Sequence, residues 1–567
     1  MDSIVSDYLR WDPNEETRTE IKSIKDSGDN EKMNSLLGCR LAFGTAGLRG
    51  RMGGGYNRMN DLVIIQTTQG LLRYLISQLT EDAKSRGVVI GYDHRRLGSL
   101  SSHRFAKYAA SVCMHAGFRV FMLENFVATP FVPYAVTFLN CAAGIMVTAS
   151  HNPKFDNGFK VYWENAAQII PPHDSGIASE ILLNLTPWAN YDIETVCSSP
   201  LFADVTEAVT NSYFSRITTL SCHFSSGVYT PVVTAPSLKV AYTAMHGVGH
   251  MWVLKAFVAF NHPPFFAVPS QAEPDPEFST VSFPNPEEKG ALEESFKFAE
   301  SQGIGLIVAN DPDADRLAVA EKNPETGEWY TFSGNEIGIL LGHWCIKKAK
   351  GIVGDEKQFA VLASIVSSRM LKAIAEKEGV HYFDTLTGFK WLGNRTLELR
   401  AQGMQVLFAY EEALGYCIGD IVCDKDGISA AAVFVELASE LQQRGCIGLL
   451  TGETKSFSPC TVRDHLQHLY AQYGEFVSFN SYLFCYDPEK TRQIFERLRT
   501  GGPDSGYWCE CAGAKILAVQ DITKGYDSCS KDCVCAIPST PETEMIMFQF
   551  DNGCAGKELD QFLYFKS

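Results

Sequence analysis

The sequence has no long apolar run and little positive charge, and each absence excludes a class of protein. No stretch approaches 18 uninterrupted apolar residues, so we expect no membrane partner and no spanning helix. The first residues, MDSIVSDYLRWDPNEETRTEI, lack a basic segment followed by an apolar core, so we expect no secretory signal. The formal net charge of −17 (49 basic and 66 acidic residues) disfavours nucleic acid, because phosphate backbones bind basic surfaces. A local basic pocket for a small phosphate remains compatible with this charge.

The residues that are present suit a folded protein of several domains. A length of 567 residues predicts roughly four domains at about 150 residues each. Seventeen cysteines without a secretory signal predict reduced thiols and a cytoplasmic location. One cluster comprises Cys509, Cys511, Cys529, Cys533 and Cys535. Its spacing lacks the two-residue gaps of common zinc sites, so we favour scattered thiols, although the sequence leaves metal binding open.

Short apolar strands alternate with helices, and this alternation recurs three times. The predicted strands and helices are 88–92, 102–116, 119–123, 130–139 and 143–148; 237–243, 249–260, 265–268, 288–302 and 304–309; and 358–363, 367–378, 380–383, 390–402 and 405–410. Such alternation is typical of βαβ units with largely parallel sheets. The alternative is a chance resemblance between segments, since polar loops follow most strands.

We therefore predict an α/β protein: three similar α/β domains with mixed, mostly parallel sheets, and a smaller C-terminal α+β domain, around one central cleft. The predicted domains are residues 1–225, 226–331, 332–470 and 471–567. The last is distinguished by strand-like alternation in TEMIMFQF. The third strand of each repeat ends in a polar loop: ASHNP, NDPDADR and YEEALGY. Because ligands bind outside the carboxyl ends of strands in such sheets, we expect these loops to share one cleft.

The loop NDPDADR places Asp311, Asp313 and Asp315 at alternate positions after an apolar strand. Carboxylates about 4 Å apart repel by roughly 4 kcal/mol per pair at an effective dielectric of 20. The groups must splay into water, take up protons or hold a cation such as Mg²⁺. A calcium EF-hand is excluded, because Arg316 and Lys322 occupy the positions that need Gly and Glu. A solvated acidic turn and a phosphatase with an aspartyl nucleophile remain alternatives.

Ser150 directly follows the buried strand of the first repeat, in VTASHNPKFDNGFK. Taken alone, Ser-His-Asn-Pro is typical of a turn, because Ser and Asn bond to nearby backbone and Pro fixes φ. The alternative is a serine presented to chemistry as a phosphate carrier. No Gly-x-Ser-x-Gly elbow surrounds Ser150, which argues against acyl transfer.

Several segments together carry a family resemblance. TASHNPKFDNGFKVYW, NDPDADRLAVAEK, LTGFKWLGNR, FAYEEALGY and DKDGISAA closely resemble the α-D-phosphohexomutase superfamily. FGTAGLRGRMGGGYNRMNDLVIIQTTQG, AAQIIPPHDSGI and PDPEFSTVSFPNPEE resemble its eukaryotic branch of phosphoglucomutases that also act on pentose phosphates. The resemblance extends from about residue 40 to residue 550.

The resemblance implies a mechanism with a phosphorylated serine. Ser150 carries a phosphoryl group, and one Mg²⁺ per chain is held by Ser150 together with Asp311, Asp313 and Asp315. A phosphosugar takes up the phosphoryl group, becomes a bisphosphate that also serves as activator, turns in the cleft and returns its other phosphate. The resemblance implies a phosphosugar as the small-molecule partner, and we expect a monomer.

The resemblance also assigns roles to individual residues. Ser150, Lys160, His151 and Arg49 are implied as catalytic, with Lys160 or Lys390 shuttling a proton and His151 ordering the loop. The residues implied in substrate binding are Arg49, Asn152, Lys160, Arg316, Thr387, Gly388, Lys390, Glu411, Glu412 and Ala413. Arg49, Lys160 and Arg316 offset charge, since phosphoserine adds about −1.5 to −2 to three carboxylates.

The loop EEALGY differs from the family's glucose-selective pattern. That pattern resembles Glu-Glu-Ser, whereas Ala413 stands at the third position here and offers no hydrogen bond. A site that cannot form a hydrogen bond to a substrate hydroxyl discriminates less strongly against sugars that lack this hydroxyl. We therefore expect ribose 1-phosphate or deoxyribose 1-phosphate to be converted to the 5-phosphate, with slower conversion of glucose 1-phosphate to the 6-phosphate.

The C-terminal end departs from the family further. A phosphate clamp resembling Arg-Thr-Ser-Gly-Thr-Glu-Pro-Lys is expected after MIMFQFDNGC, where this chain reads AGKELDQFLYFKS. Charge-assisted hydrogen bonds of this kind contribute about 1.5–3 kcal/mol each. We expect either a truncated form or weak substitution by Lys557 and its neighbours, and an unpaired edge strand that invites association.

Three other functions compete with a phosphopentomutase. A glucose 1,6-bisphosphate synthase would use the same loops with 1,3-bisphosphoglycerate as donor. A phosphosugar-binding or regulatory protein of low activity is suggested by the missing clamp. A Mg²⁺-dependent phosphatase would release free phosphate.

Overall fold

The structure is a computed structural model that describes residues 1–225, 228–229, 238–352, 358–451, 460–479, 485, 487–503, 506–537, 544–551 and 561–566. These residues form two compact units. The first comprises residues 1–363, 367–383 and 388–476, and the second comprises 364–366, 384–387 and 477–567. Within the described residues, no helix combines the length and the apolar character needed to cross a bilayer. Lys557 lies outside the described residues.

The chain begins with three helices that the sequence analysis did not predict: α1 (Asp2–Trp11), α2 (Glu15–Ser27) and α3 (Asn30–Leu37). Asn14 caps α2, because its side chain accepts hydrogen bonds from the amides of Glu16 and Thr17. The buried faces of the three helices meet in a small apolar core of their own.

The first sheet and its surroundings follow. The elements are β1 (Leu48–Arg51), α4 (Asp61–Leu79), α5 (Asp82–Arg86), β2 (Val88–Tyr92), β3 (Arg96–Leu97), β4 (Leu100–Ser101), α6 (Ser102–His115), β5 (Val120–Met122), α7 (Phe131–Leu139), β6 (Ala143–Val147), β7 (Asp156–Trp163), α8 (His173–Leu183), β8 (Phe202–Asp204) and α9 (Thr206–Ile217). The strand order is β1-β7-β6-β2-β5-β8. β2 and β6 are buried at every position, as expected for strands covered on both faces.

Two further large sheets and one two-stranded sheet follow in the chain. Their elements are β9 (Phe224–Ser225), β10 (Val228–Tyr229), β11 (Val240–Thr243), α10 (Gly249–Ala259), β12 (Phe266–Ala267), α11 (Glu293–Gln302), β13 (Leu306–Ala309), β14 (Ala318–Lys322) and β15 (Trp329–Thr331); then α12 (Gly334–Ile352), β16 (Phe359–Ser364), α13 (Met370–Glu378), β17 (His381–Thr385), α14 (Phe389–Ala401), β18 (Gln405–Glu411), β19 (Gly415–Ile418), α15 (Gly427–Thr451) and α16 (Val462–Tyr473). Short 3₁₀ helices occur at Val196–Ser198, Thr218–Leu220 and Pro269–Gln271.

The three sheets share one topology, which confirms the predicted repeat. The second sheet has the order β12-β11-β13-β14-β15 and the third β17-β16-β18-β19. In each sheet the first strand of the repeat lies between the second and third, as β2 lies between β5 and β6. The third strand then pairs antiparallel with the strand that follows it: β6 with β7, β13 with β14 and β18 with β19. Each polar loop therefore lies at a turn from a parallel strand into an antiparallel one.

The predicted elements agree with the observed ones to within three residues at each end, except at one helix start. Residue 237, the predicted start of the strand 237–243, lies outside the described residues. The helix predicted over 288–302 begins at Glu293. The residues before it form turns, in which the amides of Glu288, Ala291 and Glu293 bond to carbonyls three residues earlier. Gly290 has a φ of +89°, which a continuous helix does not accommodate.

The second unit contains an α+β arrangement, as predicted. Its elements are α17 (Pro488–Thr500), β20 (Glu510–Cys511), β21 (Ala514–Asp521), β22 (Tyr526–Asp527), β23 (Met545–Phe550) and β24 (Gln561–Lys566). β21 pairs antiparallel with β23, and β23 with β24. The prediction of an unpaired edge is wrong for β23, because β24 supplies the partner strand.

The cysteines depart from the predictions at one pair. Cys446 and Cys460 form a disulfide with Cα atoms 5.9 Å apart, within the usual range, so the prediction of reduced thiols is wrong there. The C-terminal cluster consists of free cysteines, which are exposed except for Cys535. Among the described residues, no group of side chains able to hold a metal includes these cysteines.

Two buried histidines lie close together in the first unit. The rings of His343, on α12, and His465, on α16, lie 5.7 Å apart. Nε2 of His343 and both ring nitrogens of His465 are buried, and no residue in the described part of the chain forms a hydrogen bond with them. Burial lowers the pKa of His343 to about 3 and that of His465 to about 4. Both rings are therefore neutral in the folded state near neutral pH.

We expect His465→Leu to reduce the loss of stability in acid. A histidine whose pKa is depressed on folding contributes stability that is fully present above its unfolded pKa, about 6.5, and is lost as pH falls towards the folded pKa. At pH 5 the buried ring costs about 2 kcal/mol that leucine avoids. Urea unfolding at pH 7.5 and 5.0 measures this difference. His468→Leu, at an exposed position of the same helix, is the control, and equal acid sensitivity of both variants would contradict the prediction.

Candidate active site

Ser150 lies at the end of β6, where the chain turns towards β7. Its φ is +52°, a left-handed conformation that is uncommon for residues other than glycine and is found at strained functional sites. The side chain is buried, with 3% of the residue exposed. Ser150 Oγ donates to Asp311 Oδ2 at 2.9 Å and lies 3.3 Å from Nδ1 of His151. A residue of the second repeat therefore meets the serine of the first.

Arg95 binds the backbone of the loop that contains Ser150, a role that was not predicted from the sequence. Its guanidinium donates to four carbonyl oxygens, at 2.5 Å from Ser150, 2.7 Å from Asn152, 3.0 Å from Pro153 and 3.2 Å from Asp156. Arg95 is only 1% exposed. Asp93 lies 3.3 Å from Arg95 Nε and balances its charge. One buried cation thus holds both ends of the loop that presents Ser150.

The three aspartates of NDPDADR follow β13 and are completely buried. Ala314, between two of them, has a φ of +55°, which tightens the loop. One carboxylate oxygen from each of Asp311, Asp313 and Asp315 lies within 4.8 Å of the others. The alternative of a solvated acidic turn is therefore wrong, because none of the three side chains reaches water.

Neighbouring donors offset part of the negative charge. Thr129 Oγ1 donates to Asp313 Oδ2 at 2.6 Å. Lys160 Nζ lies 2.8 Å from the same oxygen and 3.0 Å from Asp315 Oδ2. Lys425, which the sequence analysis did not single out, lies 3.3 Å from Asp315 Oδ2. Two lysines thus share one carboxylate oxygen of the triad.

The pKa values in the triad separate according to these contacts. Burial, reinforced by Asp313 and Asp315, raises the pKa of Asp311 well above its usual range. Burial also disfavours ionised Asp313, but the Lys160 ammonium, together with hydrogen bonds from Thr129 and Asp311, outweighs it and lowers the pKa of Asp313. For Lys160, burial opposes the charged form, but Asp313 and Asp315 prevail and raise its pKa. Lys160 is therefore a fixed cation beside two carboxylates.

The triad has the donor set of a divalent-cation site. Asp313 Oδ1 and Asp315 Oδ1 are buried and have no hydrogen-bond partner among the described residues, and such oxygens are costly unless something binds them. Mg²⁺ is bound by carboxylate oxygens with positions left for phosphate oxygens. The residues present therefore fit a metal site at Asp311, Asp313 and Asp315, with Ser150 Oγ adjacent to it.

Further polar side chains surround the serine. Arg49, on β1, donates from Nη1 to Asn152 Oδ1 at 3.2 Å. Arg316 follows the triad, with Nη1 3.7 Å from Glu287 Oε2 and Nε 3.9 Å from Asp311 Oδ2. Burial, with the nearby Arg316 and Arg49, lowers the pKa of His151 to about 3. The imidazole beside Ser150 is therefore neutral.

The third loop joins the second through backbone contacts. Arg316 and Gly415 form an antiparallel bridge, and the amide of Leu317 donates to the carbonyl of Leu414 at 3.1 Å. Glu411, at the end of β18, is 7% exposed, and burial raises its pKa to about 7. Together with the contact between Ser150 and Asp311, these bonds bring the three predicted loops to one place.

The remaining predicted residues are placed as follows. Glu412 and Ala413 are half-buried, and Ser367 Oγ lies 3.3 Å from Glu412 Oε2. Gly388 precedes α14 with a φ of +108°. Lys390 Nζ donates to Thr45 Oγ1, which joins the third repeat to the first. Thr387 belongs to the second compact unit.

Comparison with known proteins shows the family. Residues 40–185, 212–327 and 333–448 match the sequence profiles of phosphoglucomutase/phosphomannomutase, alpha/beta/alpha domains I, II and III. The human protein named phosphopentomutase is 45% identical over 98% of this chain and 88% of its own length. The human protein named glucose 1,6-bisphosphate synthase is 42% identical over 98% and 87%. The phosphoribomutase of Saccharomyces cerevisiae is 38% identical over 96% and 86%.

Solved structures show the same fold at lower sequence identity. The Paramecium parafusin (phosphoglucomutase) in its open form covers 93% of this chain and 91% of its own, with a TM-score of 0.57 and 17% identity. A putative phosphomannomutase from Thermus thermophilus covers 77% and 84%, with a TM-score of 0.57 and 20% identity. With three matching domains and relatives above 40% identity across nearly its whole length, this chain belongs to the phosphoglucomutase/phosphomannomutase family.

Proposed function

We propose that this chain is a phosphosugar mutase that carries a phosphoryl group on Ser150 and interconverts pentose 1-phosphates and 5-phosphates, with slower conversion of glucose phosphates. The observation that carries the proposal is the 2.9 Å contact between Ser150 Oγ and Asp311, within a fully buried carboxylate triad. Relatives named phosphopentomutase and phosphoribomutase support the choice of sugar.

The proposed reaction consists of two phosphoryl transfers. In the first, a hydroxyl oxygen of the sugar monophosphate attacks phosphorus, and the bond from phosphorus to Ser150 Oγ breaks. The sugar hydroxyl loses its proton and Oγ gains one, which leaves a sugar bisphosphate and free Ser150. After the bisphosphate reorients, Oγ loses its proton and attacks the phosphorus of the other phosphate. The bond from that phosphorus to the sugar oxygen breaks, this oxygen gains a proton, and the isomeric monophosphate leaves. Phosphoryl transfer of this kind depends on positioning and on charge stabilisation.

The residues present can supply that stabilisation. Lys160, held as an ammonium ion by Asp313 and Asp315, offsets charge on the transferring oxygens. Arg49 and Arg316 add cations near the serine loop. Lys390 is, after Lys160, the second candidate for transferring the proton of the attacking hydroxyl. The triad would hold Mg²⁺, whose charge would polarise the phosphoryl oxygens. His151, neutral and 3.3 Å from Ser150 Oγ, orients the hydroxyl.

The loop at Glu411 favours a smaller sugar. Glu411 is buried at the end of β18 and provides a carboxylate that accepts hydrogen bonds from ring hydroxyls when ionised. Ala413 provides neither a donor nor an acceptor from its side chain, so a hexose gains little from its additional hydroxyl. A pentose phosphate lacks that additional hydroxyl, so alanine in place of serine at position 413 removes no hydrogen bond to it.

Intact-mass measurement with turnover assays tests the proposal. We expect a fraction of the purified chain to carry one phosphoryl group. This group should disappear on incubation with a sugar monophosphate that accepts it, such as ribose 5-phosphate. We also expect ribose 1-phosphate to turn over faster than glucose 1-phosphate. Absence of a phosphoryl adduct after incubation with a sugar bisphosphate would refute the serine carrier. Faster turnover of glucose 1-phosphate than of both pentose phosphates would refute the sugar preference alone.

A glucose 1,6-bisphosphate synthase is the second candidate, because relatives of that name are 42–43% identical over the same length. The two activities differ in the phosphoryl donor. A synthase would make glucose 1,6-bisphosphate from glucose 1-phosphate and 1,3-bisphosphoglycerate faster than it isomerises any sugar phosphate. Phosphorylated Ser150 without turnover of any of these substrates would instead indicate a phosphosugar-binding protein.

A further inference from the structure

A second group of metal-binding side chains lies outside the candidate active site, and we propose that it binds Zn²⁺ or a transition-metal ion of similar preference. The group consists of Cys222, His223 and Glu436, with Glu440 beside it. One ligand atom from each of the first three residues lies within 4.8 Å of the others. Glu440 Oε1 lies 3.5 Å from Nε2 of His223.

The fold brings these residues together from two distant segments. Cys222 and His223 lie in the turn after the 3₁₀ helix Thr218–Leu220. Glu436 and Glu440 lie one turn apart on α15 and so share a face of the helix. Both glutamates are buried, at 3% and 4% exposure. A hydrogen bond joins the turn to the helix: the amide of Cys222 donates to Glu436 Oε2 at 2.9 Å.

The donor set suits zinc better than magnesium. Zn²⁺ is bound by thiolate, imidazole and carboxylate ligands, whereas Mg²⁺ requires oxygen ligands in octahedral geometry. The all-oxygen triad at Asp311 and the mixed group at Cys222 therefore differ in the ion that each prefers. Binding at Cys222 releases the thiol proton, since thiolate is the metal ligand.

Charged groups of both signs surround the proposed ion. A Cys222 thiolate and the two glutamates carry three negative charges, and His223 is neutral as a ligand. The ion supplies two positive charges, and two side chains add to them. Arg444 Nε lies 3.0 Å from Glu440 Oε2, and the Lys348 ammonium interacts with Cys222 and Glu436. A buried carboxylate next to a ligating imidazole also orients the ring, which is the role we assign to Glu440.

The simpler alternative is that Glu436 only caps the turn. Ser221 Oγ and the amide of Cys222 both donate to its carboxylate, and such a cap needs no ion. The two alternatives differ in whether the Cys222 thiol binds a metal ion. A cap leaves Cys222 Sγ without a bound metal, whereas a zinc site makes it a ligand with its own spectroscopic signature.

Cobalt titration of the full chain tests the site. The protein is stripped with a chelator, placed in excess Mg²⁺ to saturate the aspartate triad, and titrated with Co²⁺ as the probe. We expect one Co²⁺ per chain with a cysteinate-to-cobalt charge-transfer band in the near ultraviolet. Cys222→Ser should abolish the band, and Glu440→Gln should weaken Co²⁺ binding about 10-fold or more. Cys511→Ser, at an exposed cysteine of the C-terminal cluster, should leave the band unchanged.

Three outcomes would overturn the proposal: no band, a band that survives Cys222→Ser, or a band lost in Cys511→Ser. Circular dichroism establishes that each variant is folded. If Cys222→Ser does not fold, alkylation of the unaltered chain replaces it, with Cys222 identified by peptide mass spectrometry. Zn²⁺ should slow alkylation of Cys222 and leave that of exposed Cys197 unchanged, and equal rates with and without Zn²⁺ would contradict the site.

Discussion

Ser150→Ala is expected to lower turnover of every sugar phosphate by about 10⁴-fold or more, because the variant lacks the oxygen that we propose carries the phosphoryl group. The structure provides no second acceptor in the same place: among the described residues, the hydroxyl bonded to Asp311 Oδ2 is that of Ser150. Substrate binding should change little, since the cations and the loop at Glu411 remain. The expected signature is therefore a collapse of kcat with KM nearly unchanged.

The measurement combines steady-state assays with intact mass. Ser150→Ala should show no phosphoryl adduct after incubation with a sugar bisphosphate, whereas the unaltered chain should show one. Ser179→Ala, at an exposed position of α8, is the matched control and should retain both the adduct and turnover. Removing the hydroxyl should not unfold the loop, because Arg95 binds the Ser150 carbonyl and not its side chain. Substantial turnover in Ser150→Ala would refute the proposed mechanism.

The loops of this site were predictable because each follows directly from a local pattern. Apolar strands end at Ser150, Asp311 and Glu411, and the parallel arrangement of such strands predicts that their carboxyl ends lie near a ligand. The observed strands end at or within a few residues of those positions: Val147, Ala309 and Glu411. The shared topology of the three sheets was predictable for the same reason. The family resemblance added expected roles for individual residues, which pattern alone does not provide.

The partners of these loops were not predictable, because they come from distant parts of the chain. Thr129 is 184 residues from Asp313, the carboxylate to which it donates. Lys425 lies in DKDG, a segment whose local pattern gives no sign that its lysine pairs with Asp315. Helices α1 to α3 were missed since they lie outside the repeats. In each case tertiary packing, and not local periodicity, determines the outcome.

Arg95 is the most important residue that was not predicted from the sequence. Its replacement is expected to cause a large loss of stability and of turnover. The segment GYDHRR contains adjacent arginines, yet Arg95 is 1% exposed and Arg96 is exposed. Arg95→Met leaves four loop carbonyls without their donor and removes the cation beside buried Asp93. Removing one partner of a buried ion pair costs about 3–5 kcal/mol. We expect a loss of stability of that size and a large loss of turnover.

Arg95→Lys separates positioning of the serine from general stability. A lysine keeps a charge beside Asp93 but cannot span carbonyls at both ends of the loop, so the variant should fold and yet accept phosphate slowly. The expected readout is a lower rate of Ser150 phosphorylation by a sugar bisphosphate, at a temperature where the variant is fully folded. Arg96→Lys, at the exposed neighbour, should leave that rate unchanged.

A double-mutant cycle tests whether Arg95 acts by holding Ser150 in its left-handed conformation. A non-glycine residue with φ near +52° carries strain of order 1–3 kcal/mol, and glycine adopts the same φ without it. Ser150→Gly should therefore reduce the destabilisation that Arg95→Lys causes, because the relaxed loop no longer depends on the bond to the Ser150 carbonyl. Urea unfolding of the four proteins gives the coupling energy, which we expect to be about 0.5–3 kcal/mol for residues in direct contact. Additive effects would show that Arg95 stabilises the loop without acting on the backbone conformation of Ser150.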